Sequence, residues 1–200
     1  ATAVKARKPA VRVIGVQARV LPSIADGIAV RERGALTAGV IGALVDEVVT
    51  VSEEEIANAI LLLLEIEKTV VEGAGATTLA ALVNRPLGLE SRTVVLVLSG
   101  GNIDVTMLSR IIQRGLVKDG RLVRLAVMLV DRPGALARLT ALIAESRANI
   151  LHIEHDRAFS RAGIGESEVE LTLETSGREQ IEEIKTRLKG AGYRVVSEGS

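Results

Sequence analysis

Along the chain, unbroken apolar runs alternate with segments of helical periodicity, and the clearest join between the two lies at Thr93–Asn102, TVVLVLSGGN. Val94–Leu98 is apolar without alternation, which predicts a strand buried on both faces of a parallel sheet. It stops at Ser99-Gly100-Gly101-Asn102, and the amphipathic segment Ile103–Gly115 predicts a helix with Gly115 as its C-cap. Open α/β sheets hold ligands where a strand delivers its carboxyl end into such a turn. Two glycines admit a ring or a phosphate to the backbone, and the free N–H groups of the next helix favour an anion. Taken alone, an SGGN turn is also an ordinary strand-to-helix loop.

The segments before it follow the same logic. Ala1–Lys8 reads as the last turns of a helix already in progress, so a longer parent protein is expected. Val11–Val16 predicts a short strand, Asp26-Gly27-Ile28 a turn, Val40–Val45 a short helix and Glu47–Val51 a strand. The chain between these strands has little pattern, and the join at Val20–Leu21 is abrupt enough to suggest missing residues. Ser52 with Glu55 makes a capping box that starts a helix over Glu53–Lys68, so the run Glu53-Glu54-Glu55 is capping rather than a metal cluster. Val70–Ala76 leads into another helix ending near Val83. Glu72 lies there among small residues between two apolar segments. Its carboxylate is expected to be partly buried beside a close backbone approach, hence paired or functional. A solvated loop glutamate is the bland alternative.

After a short link at Val117–Gly120 the pattern changes, which puts a domain boundary between 117 and 118. Arg121–Val130 predicts a strand, Asp131–Gly134 a turn, Ala135–Ser146 a helix and Asn149–Arg157 a strand. Phe159–Gly165 is a hairpin loop, Glu168–Thr175 a cleanly alternating strand, Arg178–Leu188 a helix and Tyr193–Val196 a final strand. The order is βαββαβ, a ferredoxin-like unit with two helices on one face of an antiparallel sheet. His152, His155 and Asp156 suggest a metal site, but on a strand the two histidines face opposite sides and cannot share an ion.

Composition narrows the function classes. Of 200 residues 48% are hydrophobic and 1% aromatic, so the core is Val, Ile, Leu and Ala, as in α/β packing, and not a base-stacking surface. Lys plus Arg and Asp plus Glu balance at 25 each, so neither nucleic acid nor a membrane surface is an expected partner. The absence of cysteine excludes disulfides, thiolate metal sites and cysteine nucleophiles. The longest apolar run, Ala59–Leu64, is too short to span a bilayer, and with no signal peptide visible a cytoplasmic location is expected.

The residues carry a family resemblance. Asp131-Arg132-Pro133-Gly134-Ala135-Leu136 followed by Ala148-Asn149-Ile150 resembles an ACT domain. The first portion resembles the later part of the catalytic domain of the threonine ammonia-lyase (threonine dehydratase) family, fold-type-II enzymes that use pyridoxal phosphate. The matching stretches are Ala25–Val30, Leu44–Val48 with Ser52–Ile56, Val71–Ala76 and Leu98–Asn102. The implied fold class is α/β, a partial fold-type-II domain over 1–117 followed by an ACT domain over 118–200.

The resemblance implies that Ser99 hydrogen-bonds the cofactor's pyridine nitrogen, that Gly100 and Asn102 shape the turn, that Glu72 lies beside the ring and that Gly27 runs against it. A serine hydroxyl does not hold that nitrogen protonated as a carboxylate would, which suits β-elimination. The implied reaction converts L-threonine to 2-oxobutanoate and ammonia, and L-serine to pyruvate. No metal is implied. The family's Schiff-base lysine and glycine-rich phosphate loop lie upstream, and Lys5 and Lys8 sit in no such motif, so this chain alone is expected to be inactive. In ACT domains an amino acid binds where two such domains meet, here against Arg132, Pro133, Gly134, Ala135 and Leu136 and against Asn149, Ile150 and Leu151. Isoleucine or valine is the expected effector, and a homo-oligomer, dimer or tetramer, is expected. The alternatives are a non-catalytic amino-acid-binding module and a serine racemase or serine dehydratase.

Overall fold

The computed structural model describes residues 1–19, 22–30, 34–156 and 163–199. The Val20–Leu21 join, Arg157 and the Phe159–Gly165 loop as far as 162 lie outside these described residues. The chain divides into two compact units, Ala1–Ile111 and Ile112–Ser200.

The first unit holds α1 (Thr2–Arg7), β1 (Ile14–Ala18), a 3-10 turn over Asp26–Ile28, α2 (Ala35–Leu44), β2 (Glu47–Val51), α3 (Glu53–Leu62) and α4 (Gly73–Asn84). Strands β1 and β2 pair in parallel, Ile14 opposite Glu47 and Ala18 opposite Val51. β1 begins three residues later than the Val11–Val16 pattern predicts. Its ladder starts only after the Asp46 carboxylate has taken the N–H of Val13 at 2.6 Å. The helix expected over Val40–Val45 begins earlier, at Ala35, from the N-cap Gly34.

The capping box is present, with Ser52 Oγ accepting from Glu55 N and Glu55 Oε2 accepting from Ser52 N. Glu55 also takes Arg85 Nη2 at 2.6 Å, while Arg85 Nε donates to the Thr50 carbonyl. The guanidinium thus ties β2 and the start of α3 to the end of α4, and it holds the Glu55 carboxyl down to about 2. The expected helix to Lys68 is α-helical only to Leu62. A π-helical turn over Leu63–Glu67 follows, and Lys68, at φ 56°, ends it in the left-handed region. α3 and α4 bury Ile56, Ala59, Ile60, Ala76, Ala80 and Ala81.

Two expectations about the central stretch are corrected. Val94–Leu98 is not a strand and is not buried on both faces: Val95 is 84% and Val97 70% exposed. Five aliphatic residues in a row form a strand only where a neighbour supplies a hydrogen-bond ladder, and among the described residues none does. The following helix, α5 (Val105–Lys118), runs through Gly115 and straddles the division between the units. It is stopped by Gly120 at φ +72°, where Arg121 N donates to Leu116 O and Gly120 N to Val117 O, a Schellman closure.

The second unit follows the predicted βαββαβ order: β3 (Leu122–Val130), α6 (Ala135–Glu145), β4 (Asn149–Asp156), β5 (Glu166–Glu174), α7 (Arg178–Gly190) and β6 (Arg194–Gly199). The sheet is antiparallel in the order β4-β5-β3-β6. Alternation along β5 sends Val169, Leu171 and Leu173 inward, where they meet Leu125 and Val127 of β3 and Leu139, Ile143, Ile184 and Leu188 of the two helices. Among the described residues no helix is long and apolar enough to cross a membrane.

Candidate functional site

The N-terminus of α4 is the point where the predicted site residues of the first unit meet. Gly73 and Gly75 are both buried, and each lets another segment approach the helix backbone. A Cβ on Gly73 would lie 2.8 Å from Ala25 N and closer still to the Ile24 carbonyl. One on Gly75 would lie 3.0 Å from Ser99 N and closer still to Ser99 O. The helix end is therefore wedged between the Ile24–Ala25 backbone on one side and the Ser99 turn on the other.

Glu72, the N-cap of α4, completes the junction. Its backbone N–H donates to Gly100 O at 3.1 Å, and its Oε2 accepts from Asn102 N at 3.1 Å. Gly100 has φ +77°, and a Cβ there would sit 2.5 Å from Glu72 Oε1. The same oxygen lies 3.4 Å from the Cβ position of Gly27. Gly27, Gly100 and Asn102 thus gather around the half-buried Glu72 carboxylate, with the exposed Ser99 next to Gly100 in the chain. Any side chain at Gly100 would displace the carboxylate and strain the backbone. At Gly27, Gly100 and Gly101 the space a Cβ would take is filled by the Glu72 carboxylate, by Ala74 Cβ beside Gly27 and by the Val70 carbonyl, so the three glycines let these segments close on one another.

Sequence reading missed how the Gly27 segment is held. Glu53 reaches back from the first turn of α3, accepting from Ser23 Oγ at 2.6 Å and from Ile24 N at 2.7 Å. Its position in the acidic run points to helix capping, and nothing local announces a partner about thirty residues away. The close backbone approach expected beside Glu72 is present, at Gly73 and Gly75.

In the second unit, Arg132 and Pro133 lead into Gly134, at φ +82°, which begins α6. The turn is closed by Ala135 N donating to Arg132 O at 3.1 Å. Leu136 and Ile150 pack against the core and Leu151 is exposed. Asn149 Nδ2 is 3.3 Å from Glu174 Oε2 on the neighbouring strand. His155 Nε2 lies 2.9 Å from Ser167 Oγ.

Comparison with known proteins adds an independent line. A family model described as pyridoxal-phosphate dependent enzyme matches residues 1–100, and one described as ACT domain matches residues 123–192. The chain is 49% identical to an L-threonine ammonia-lyase of Geobacter sulfurreducens, over 98% of this chain and 53% of that protein. It is 45% identical to an L-threonine ammonia-lyase of Thermotoga maritima, over 96% of this chain and 52% of that protein. The chain therefore spans about half the length of these curated relatives. Among solved structures it is similar to the processed form of threonine deaminase isoform 2 from Solanum lycopersicum. That match has a TM-score of 0.52 and 25% identity, and covers 56% of this chain and 39% of that one.

Proposed function

The chain belongs to the pyridoxal-phosphate-dependent enzyme family, and from that premise we propose that it is the C-terminal part of a threonine ammonia-lyase regulated through an ACT domain. The catalytic portion is read as residues 1–117 and the regulatory portion as 118–200. The observation that carries the reading is the junction at Glu72, whose carboxylate is surrounded by Gly27, Gly100 and Asn102, three of the other four residues assigned to the cofactor.

In this reading Ser99 offers its hydroxyl to the pyridine nitrogen, and Gly27 and Gly100 carry the backbone that runs beside the ring. Glu72 fixes the orientation of the turn by holding Asn102 N and Gly100 O at once. Pyridoxal phosphate, when bound, supplies the electron sink for eliminating the substrate's β-hydroxyl. A neutral hydrogen-bond partner at Ser99 suits that elimination better than a carboxylate would. The base that takes the α-proton is a lysine outside this chain, since Lys5 and Lys8 lie in no matching motif. Deamination of L-threonine to 2-oxobutanoate and ammonia, and of L-serine to pyruvate, belongs to the whole protein. An amino-acid effector, isoleucine or valine, meets Arg132–Leu136 of one ACT domain and Asn149–Leu151 of another in a homo-oligomeric dimer or tetramer.

The test is a deaminase assay on the full-length parent protein with threonine and serine, read alongside the visible absorbance of bound cofactor. The expected result is 2-oxobutanoate from threonine and a cofactor band that shifts on adding threonine. Replacing Ser99 by Ala should weaken both, with the fold unchanged by circular dichroism. A full-length protein without a cofactor band would leave only the amino-acid-binding module.

A further inference from the structure

The first turn of α3 carries three adjacent glutamates, Glu53, Glu54 and Glu55. Glu55 belongs to the capping box with Ser52, and Glu54 is exposed. Glu53 is half-buried, and its carboxylate is turned away from the cap toward another segment. Its Oε1 accepts from Ser23 Oγ at 2.6 Å and its Oε2 from Ile24 N at 2.7 Å. Ser23 Oγ in turn accepts from Ala25 N at 3.0 Å. Consecutive residues from Ser23 to Ala25 are thereby fixed to one carboxylate, by the short charge-assisted bonds that an ionised acceptor makes.

The chain beyond Ala25 is tied to this anchor. Ala25 is fully buried. Ile28 N donates to Ala25 O and Ala29 N to Asp26 O, each at 3.0 Å, closing the 3-10 turn that carries Gly27. Asp26 Oδ1 accepts from Gly27 N at 2.7 Å. Gly27 arrives with its Cβ position 3.3 Å from Ala74 Cβ and 3.4 Å from Glu72 Oε1. There is no slack on the other side, because the Ile24 carbonyl lies where a Cβ of Gly73 would be. Any shift of Ile24–Ala25 therefore either collides with the Gly73 backbone or moves Gly27 along the Glu72 carboxylate.

We propose that Glu53 is a positioning residue of the cofactor site, acting through Ser23, Ile24 and Ala25 to set where the Gly27 backbone lies beside the ring. The proposal rests on the reading above and adds to it a residue outside the assigned set. Two plainer roles exist for a glutamate at this place. A carboxylate in the first turn of a helix favours its dipole, but Glu54 supplies the same charge in the same turn. Fastening a loop is the other, and it demands no particular destination. The segment that Glu53 holds is the one that ends against Glu72.

Substitutions in α3 and in the held segment separate these roles. In the 200-residue chain, Glu53→Ala should raise hydrogen exchange at Ala25–Ala29 about ten-fold, the scale of one lost hydrogen bond to a charged group, and leave β5 unchanged. Glu54→Ala should leave Ala25–Ala29 as it is. In the full-length parent, titration of the cofactor's visible band with pyridoxal phosphate gives a dissociation constant. Glu53→Ala should raise that constant about ten-fold and alter the circular dichroism of the band, which reads the ring's orientation in its surroundings. Glu53→Gln keeps an oxygen for Ile24 N and an amide for Ser23 Oγ, and should restore most of both. Ser23→Ala removes one of the two contacts from the other side and should give a smaller change in the same direction, so the result does not depend on one variant. Cofactor affinity and visible dichroism unchanged in Glu53→Ala and Ser23→Ala, or changed equally in Glu54→Ala, would overturn the proposal alone. A parent protein with no cofactor band at all would overturn the reading beneath it as well.

Discussion

In the second unit each strand has a hydrogen-bonded neighbour and both helices bury apolar side chains against the sheet. In the first unit α2, ALTAGVIGAL, buries no side chain, and Val95 and Val97 stand exposed. The β5 pattern, apolar at every second position, encodes one wet face and one dry face, and the unit supplies both. Helix α2 is apolar on every side, a composition suited to burial all round, and the described residues supply no such surroundings. Yet the first unit keeps the junction at Glu72 closely defined. It does so through hard contacts between backbones at Gly73 and Gly75, together with two hydrogen bonds to Glu72 and two to Glu53. One unit is held by buried area, and the site in the other by close approach.

The contrast can be broken most directly in the second unit. Leu139 is fully buried, and Leu139→Ala should cost about 3 kcal/mol through lost burial and the cavity left behind. Hydrogen exchange should rise across β3 and β5 and remain unchanged in α3 and α4. Equal loss of protection in both units would mean that they unfold as one. A smaller effect of opposite location is expected from Gly75→Ala, about 2 kcal/mol from overpacking against Ser99. There exchange should rise at Glu72–Ala76 and Ser99–Asn102 and remain unchanged in β5. The smallest effect concerns the ion pair at the start of α3. Folding lowers the Glu55 carboxyl from 4.5 to about 2, because Arg85 and the Ser52 N–H stabilise its charged form. Its contribution is therefore complete above about pH 4.5 and disappears as pH falls through about 2. A carbon-detected NMR titration should find that midpoint, and Arg85→Met should move it back toward the ordinary value.

Much of the second unit was legible because its interactions are local or periodic. The DRPG turn, the amphipathic α6 and the alternating β5 each announce themselves within a dozen residues. The capping box of α3 was legible for the same reason. What sequence reading could not supply were long-range choices. Gly115 and Gly120 both qualify as helix stops, and the structure uses Gly120, where a Cβ would collide with Arg178 at 2.7 Å, a contact from far along the chain. The Val94–Leu98 run reads as a strand because its residues suit one, but a strand is a relation between segments. Glu72 stood out by its small neighbours, whereas its partners Gly100 and Asn102 lie about thirty residues away. Glu53 looked like a capping residue and is an anchor for Ser23 and Ile24.

Tyr193 is the chain's only tyrosine, and there is no tryptophan. Because that ring is half-buried beside Arg194 at the start of β6, the near-ultraviolet emission of this 200-residue chain is the report of a single place. Its intensity and polarisation read the hydration and freedom of that one phenol, undiluted by any other chromophore of its kind. The molecule carries its own optical label at the β6 edge of its sheet, and a change there can be followed in real time without attaching anything to it.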